Sequence, residues 1–199
     1  MFSECQKLKS LDLSNFDASL VTDMTNMFSS CLDLTSIDLS SFNTPSLTNM
    51  GNMFFECSSL ISLDLSSFDT SLVTNINLLF YLCSKLQYLD ISNFNLKSVK
   101  NYALSFTELS SLKYINLYHV ENPYSILTKS ELNTKDGLIV CQKENIITNS
   151  KASNKCGYFN FETNECENEN YITIIYDDDA EYDSGFINEF RKNIEFITN

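Results

Sequence analysis

Four aspartates, Asp12, Asp38, Asp64 and Asp90, recur at a step of 26 residues. Each has polar neighbours two positions away, in the rows Ser10/Asp12/Ser14, Ser36/Asp38/Ser40, Ser62/Asp64/Ser66 and Tyr88/Asp90/Ser92, and a fifth row reads Tyr114/Asn116/Tyr118. Stacked in register, these carboxylates would stand about 4.8 Å apart. In bulk water two charges that close repel by roughly 1 kcal/mol before salt screening. A bound cation or a basic partner would offset that repulsion. Solvation by the neighbouring serine hydroxyls and by water would do the same and is the default. A protein or glycan surface is the sharper alternative, and no specific metal site is expected.

Tyrosine replaces serine only in the last two rows, at Tyr88, Tyr114 and Tyr118, beside His119. Tyrosine offers apolar area with a polar tip and is enriched at interfaces. The competing expectation is that the C-terminal third packs over these rings. The candidate partner-binding residues are therefore Tyr88, Asp90, Tyr114, Asn116 and Tyr118, extended by Asp12, Asp38 and Asp64. A single histidine without a partner at motif spacing is no sign of catalysis. Glycan hydrolysis would need two carboxylates in separated environments. The aspartate column reads as too uniform for that, so neither a catalytic residue nor a cofactor is expected.

The cysteines divide into two sets. Cys5, Cys31, Cys57 and Cys83 keep the 26-residue step and lie among apolar residues. They read as buried thiols, since cysteine behaves as a small hydrophobe, and the C-x-x-C pairs that favour zinc are absent from the sequence. Cys141, Cys156 and Cys166 have polar surroundings. One disulfide among them is expected in an oxidising compartment, with three pairings open and Cys156–Cys166 preferred. The run Asp177-Asp178-Asp179 lacks the spacing of a calcium loop and reads as a solvated turn.

All of these residues depend on what positions them. The chain has 199 residues, 26 acids against 13 bases, and a formal net charge of -13. That excess argues against nucleic acid or an anionic membrane surface as partner. With 43% hydrophobic residues the chain has the material for a core. No apolar run approaches the roughly 18 residues that span a bilayer, so direct membrane insertion is not expected.

The register extends well beyond the aspartates. Met1-Phe2 recurs as Met27-Phe28, Met53-Phe54, Leu79-Phe80 and Ser105-Phe106, each 26 residues on. Leu8-x-x-Leu11-Asp12-Leu13 recurs four times, ending at Leu112-x-x-Ile115-Asn116-Leu117, and Phe16, Phe42, Phe68 and Phe94 follow in step. A fixed period of this length is the mark of stacked repeats. Within a unit, the alternation Leu11-Asp12-Leu13 predicts a strand. Val21, Met24, Met27, Phe28 and Cys31 fall at helical spacing and predict a short helix, with Thr22 as N-cap and Asp23 in its first turn. Asn49 and Asn75 take the place of Asp23 in the next units. Neither element buries its apolar face alone, so the units must stack.

This pattern resembles a leucine-rich repeat. The fuller unit, M-F-x-x-C-x-x-L-x-x-L-D-L-S-x-F-x-T-x-x-V-T-x-M, resembles the BspA-like class over roughly residues 1–120. The resemblance implies an α/β solenoid with a parallel β-sheet on the concave face and short helices on the convex face. It also implies a microbial surface protein, located at the cell surface or outside the cell, whose partner is a protein or glycan on another cell or matrix. Five units are expected over 1–128. No polar cap precedes Met1, and solenoids need one, so the chain is expected to be a piece of a longer protein. A small β-rich, cysteine-containing module or cap is expected over 129–199, with strands near Leu138–Cys141 and Tyr171–Tyr176. Phe186, Phe190, Ile194 and Ile197 predict a terminal helix.

The functional expectation is a non-catalytic binding or adhesion module that presents a rigid face to its partner. The rivals are a structural spacer, whose concave face would tolerate any soluble substitution, and an intracellular interaction scaffold, whose seven thiols would all be reduced.

Overall fold

The computed structural model describes residues 1–117 and 120, together with the backbone of four strands beyond them. Where apolar and polar residues alternate, three short strands form: β1 (Ser62–Asp64), β2 (Tyr88–Asp90) and β3 (Tyr114–Asn116). They lie side by side in parallel, and their register is the sequence period itself. Ser62 faces Tyr88 and Tyr88 faces Tyr114; Leu63, Leu89 and Ile115 form the next row, and Asp64, Asp90 and Asn116 the third. The middle row is buried. A slip of one residue would turn that row to solvent, which is why the hydrophobic pattern fixes the register.

The later strands are β4 (Ile139–Gln142), β5 (Tyr158–Asn160), β6 (Glu165–Glu167) and β7 (Tyr171–Ile174). β4 continues the sheet parallel to β3, β7 closes it antiparallel to β4, and β5 and β6 form a separate antiparallel pair. β4 and β7 fall on the two segments expected to be strands, whereas the β5–β6 pair was not expected. The division at 128/129 and the terminal helix over 186–197 lie outside the described residues.

Two expectations about the unit need correction. The strand expected in every unit is regular only from Ser62 onward; Leu11–Leu13 and Ile37–Leu39 form none. Pairing becomes regular where Tyr88 and Tyr114 enter adjacent strands, and aromatic cross-strand neighbours favour a ladder more than serine does.

The second correction concerns the short helices: among the described residues there are none. From Met24 to Cys31 the amides alternate between two kinds of acceptor. Met24, Asn26, Phe28 and Ser30 donate to the carbonyls of Asn49, Gly51, Met53 and Phe55 in the next unit, at 2.7–3.1 Å. Met27, Ser29 and Cys31 donate three residues back, to Met24, Asn26 and Phe28. A helix would use all of these amides internally. Here Asn26 and Ser30 have φ of 56° and 57°, which breaks the helix and turns alternate amides toward the neighbouring unit. The apolar spacing that imitates a helix face is that of a stacked turn. The same inter-unit bonds repeat from Met50 to Glu56 and from Ile76 to Phe80. Successive units are therefore hydrogen-bonded along a turn face as well as along the sheet.

The core between the two faces is built from columns. Phe2, Phe28, Phe54 and Phe80 stack with centroids 5.5–6.1 Å apart. Phe16, Phe42 and Phe68 form a second column at 5.4–5.7 Å. Leu34, Leu60, Leu86 and Leu112 are all buried in step. Each fully buried large side chain contributes roughly 1.5–3 kcal/mol relative to exposure. An identical register places like against like from unit to unit.

Candidate interaction surface

Asp64 and Asp90 lie on the solvent side of β1 and β2, and Asp12 and Asp38 hold the same repeat position ahead of the sheet, where no strand forms. Asp12, Asp38 and Asp64 are exposed and Asp90 is half-buried, while Leu13, Leu39, Leu65 and Ile91 behind them are buried. Each carboxylate has a local task. Oδ1 accepts the amide N–H two residues on: Ser14 to Asp12 at 2.9 Å, Ser40 to Asp38 at 2.9 Å, Ser66 to Asp64 at 2.8 Å and Ser92 to Asp90 at 2.9 Å. These are Asx turns, which send the chain around the corner and, at Asp64 and Asp90, end the strand.

The column is not uniform, and this corrects the expectation drawn from its repetition. Hydrogen bonds from the Ser14 amide and hydroxyl hold the Asp12 carboxyl below its ordinary range. The Ser40 hydroxyl and amide do the same for Asp38. Asp90 is pushed the other way by burial, which outweighs its bonds from Ser92 and Asn116. Its second oxygen accepts the Asn116 side-chain amide at 2.8 Å. Two of the candidate contact residues are therefore engaged with each other.

The tyrosines are less open than their sequence position suggests. Tyr88 is buried, with 5% of its surface exposed, and Tyr114 is half-buried. Burying a phenol ring removes much more apolar surface from water than burying the serine it replaces. The exposed part of the candidate surface is thus Asp12, Asp38 and Asp64 with Ser10, Ser14, Ser36 and Ser40, bordered by half-buried Ser62, Ser66, Asp90, Tyr114 and Asn116. Tyr118, His119, Asp177-Asp178-Asp179 and Cys156 lie outside the described residues, as does the side chain of Cys166, so the preferred disulfide does too.

Sequence reading missed two further columns of the same device. Asp17, Asp69 and Asn95 accept the amides of Ser19, Ser71 and Lys97 at 2.9–3.0 Å. Asp23, Asn49 and Asn75 accept those of Thr25, Gly51 and Asn77 at 2.7–3.1 Å. The third column is also cross-linked between units: Asn75 Nδ2 donates to Asn49 Oδ1 at 2.8 Å, and Asn49 Nδ2 to Asp23 Oδ2 at 3.3 Å. The signal was present as repeated Asp-x-Ser at Asp12, Asp17, Asp38, Asp64, Asp69 and Asp90. An aspartate two residues before a serine in four successive units marks a corner before it marks a binding site.

The cysteine column is structural. Cys31, Cys57 and Cys83 are buried free thiols, while Cys5 is exposed. Their Sγ atoms donate to the carbonyls of Phe2, Phe28 and Phe54 at 3.1–3.2 Å. Burial pushes the Cys31 and Cys57 thiols up and takes Cys83 up to about 12, so all three stay protonated donors at neutral pH. Among the described residues no group of three or more His, Cys, Asp or Glu converges as metal ligands.

Residues 1–117 match a family described as Mycoplasma protein of unknown function, DUF285. No curated protein and no solved structure matches the chain.

Proposed function

The chain belongs to the DUF285 family, and from that premise we propose that it is a non-catalytic binding module: a leucine-rich-type solenoid related to the BspA-like repeats. It would work at the cell surface and present its sheet face to a protein or glycan on another cell or matrix. The observation that supports this reading is the exposed, in-register column of Asp12, Asp38 and Asp64. It stands on units hydrogen-bonded to one another along the turn face, joined by the sheet ladder from Asp64 onward, and rigid presentation lowers the ordering cost of association. Asp90, Tyr114 and Asn116 border the column. Many weak polar contacts along a fixed spacing suit a long repetitive ligand better than a small molecule.

The spacer reading is favoured by one specific observation: one oxygen of each aspartate is already used in a turn. A single set of variants separates the two. Asparagine keeps the Oδ1 acceptor and removes the charge, so Asp12→Asn/Asp38→Asn/Asp64→Asn retains the corners. The binding reading expects this triple variant to fold normally and to lose attachment to matrix proteins and glycans arrayed on a surface. Unchanged attachment by the folded variant, or no attachment by the wild type, would leave the spacer.

A further inference from the structure

We propose that the turn face around Leu78, Tyr81 and Leu104 is a second docking surface, for a protein segment that presents apolar side chains flanked by lysine or arginine. The observation begins with the backbone. Asn26, Asn52, Leu78 and Leu104 occupy one repeat position and share φ of 55–56°. Glu4, Ser30, Glu56, Leu82 and Glu108 occupy another, with φ of 57–64°. This left-handed region suits asparagine, whose short polar side chain bonds locally, and opposes leucine, whose Cβ crowds the following carbonyl. The first two units obey the rule at the first position, and the next two break it.

Filling the core does not explain the exception. Leu104 is 51% exposed, and Leu78 and Leu82 are half-buried, whereas Leu79, Phe80 and Cys83 beside them are buried. Between the two left-handed columns Phe55 and Tyr81 stack at 6.0 Å and 27°, both half-buried. Phe55, Leu78, Tyr81, Leu82 and Leu104 thus share one face, and the next positions in register are Asn52, Glu56, Thr107 and Glu108. An aromatic and aliphatic centre inside a polar rim is the anatomy of a protein interface. A residue that violates its local backbone rule without packing inward marks a place where something other than the fold is selected.

The rim determines the kind of partner. Its charged members, Glu56 and Glu108, are acidic, and Glu56 is oriented by the Ser30 hydroxyl at 3.0 Å. Exposed Lys85 and Lys100 belong to the corners on either side of the turn. A chain of net charge -13 with an acidic rim favours basic flanks on its partner, and it disfavours a second copy of itself.

This surface is separate from the sheet face, so either reading can fail alone. The test uses the full chain and a short labelled peptide of alternating leucine and lysine, with a leucine–glutamate peptide as control, followed by fluorescence anisotropy at physiological salt. The variant Leu78→Asn/Leu104→Asn installs the residue that the preceding units carry at the same φ, so its fold is retained, as circular dichroism would verify. The leucine–lysine peptide is expected to bind the wild type and to bind the variant about tenfold more weakly or worse, while the glutamate peptide binds neither. Equal binding to wild type and variant would reduce the effect to general acidity and overturn the proposal. So would no binding to the wild type, or wild-type self-association that the variant abolishes.

Discussion

The first two units and the later ones share the backbone of the turn face and differ in the strand, which is regular only from Ser62 onward, and in the side chains they carry outside. Phe28 and Phe80 are equally buried, and Cys31 and Cys83 make the same thiol–carbonyl bond to a residue 29 positions earlier. Outside, the correspondence fails. Ser10 and Ser36 give way to Tyr88 and Tyr114, Asn26 and Asn52 to Leu78 and Leu104, and exposed Asp12 and Asp38 to half-buried Asp90. The inter-unit bonds of the turn face do not notice these changes, because they use only main-chain atoms, whereas the sheet ladder is regular only from Ser62 onward. Stacking therefore fixes the interior and leaves the exterior free to diverge, and divergence against local propensity points to a task beyond folding.

The largest expected effect tests the interior half of this comparison. Phe54 lies between Phe28 and Phe80, at 5.5 and 6.1 Å, with its ring fully buried. Phe54→Ala should destabilise the chain by about 3–5 kcal/mol, as removal of a packed aromatic does. Phe2 is half-buried and stacks on Phe28 alone among the described rings, so Phe2→Ala should have well under half that effect. Urea unfolding of the two variants measures the difference. Equal losses would mean that the columns do not carry stability through a centre and that the ends are as constrained as the middle.

An exchange between the two halves gives a middle-sized effect. Leu78 and Asn52 occupy one repeat position with φ of 55°. Leu78→Asn should stabilise by about 1 kcal/mol and Asn52→Leu should destabilise by a similar amount, the scale of left-handed strain in a residue with a Cβ. The paired thermal midpoints should move in opposite directions. If Leu78→Asn lowers the midpoint instead, the leucine is packed for stability and its exposure has another cause.

How much of this was legible follows from what periodicity encodes. Leu63, Leu89 and Ile115 could be placed inward and Asp64 outward, because a step of two sends successive side chains to opposite faces, although the same step at Leu11–Leu13 and Ile37–Leu39 builds no strand. The segment from Val21 to Cys31 was misread, because apolar residues at i, i+3 and i+7 arise from a helix and equally from a turn that points every third or fourth side chain inward. What separates the two is the sign of φ at Asn26 and Ser30, which no pattern of hydrophobicity records. Asn26 and Asn52 held a hint, since asparagine tolerates positive φ, but Leu78 and Leu104 at the same position erased it. The aspartate column was placed correctly, and its Asx turns were missed. Repetition at 26 residues directs attention across units, whereas the bond that matters runs from Ser14 back to Asp12 within one. The burial of Tyr88 depends on the size of a ring against its surroundings, which spacing does not carry.

The smallest expected effect separates the two halves by acid. Asp38 has a carboxyl pKa lowered by the Ser40 hydroxyl and amide, and Asp90 one raised by burial. For a lowered group, the folded state binds its proton more weakly than the unfolded chain, whose aspartates titrate near about 3.9. Its stabilisation is present above that value and is lost as pH falls through the folded pKa. For a raised group the sign reverses: its contribution is present below about 3.9 and is lost as pH rises through the folded pKa. Asparagine keeps the Oδ1 acceptor at both sites and removes the charge. Asp38→Asn should therefore lower the thermal midpoint at neutral pH and leave it unchanged in acid. Asp90→Asn should raise it at neutral pH and lose that advantage in acid. Midpoints recorded from about pH 3 to about pH 7 test the pair. The Asp38 difference should be the smaller, because solvent screens an exposed carboxylate. If both variants shift the neutral midpoint in the same direction, the column is electrostatically uniform after all, and the contrast between the early and later units is confined to the turn face.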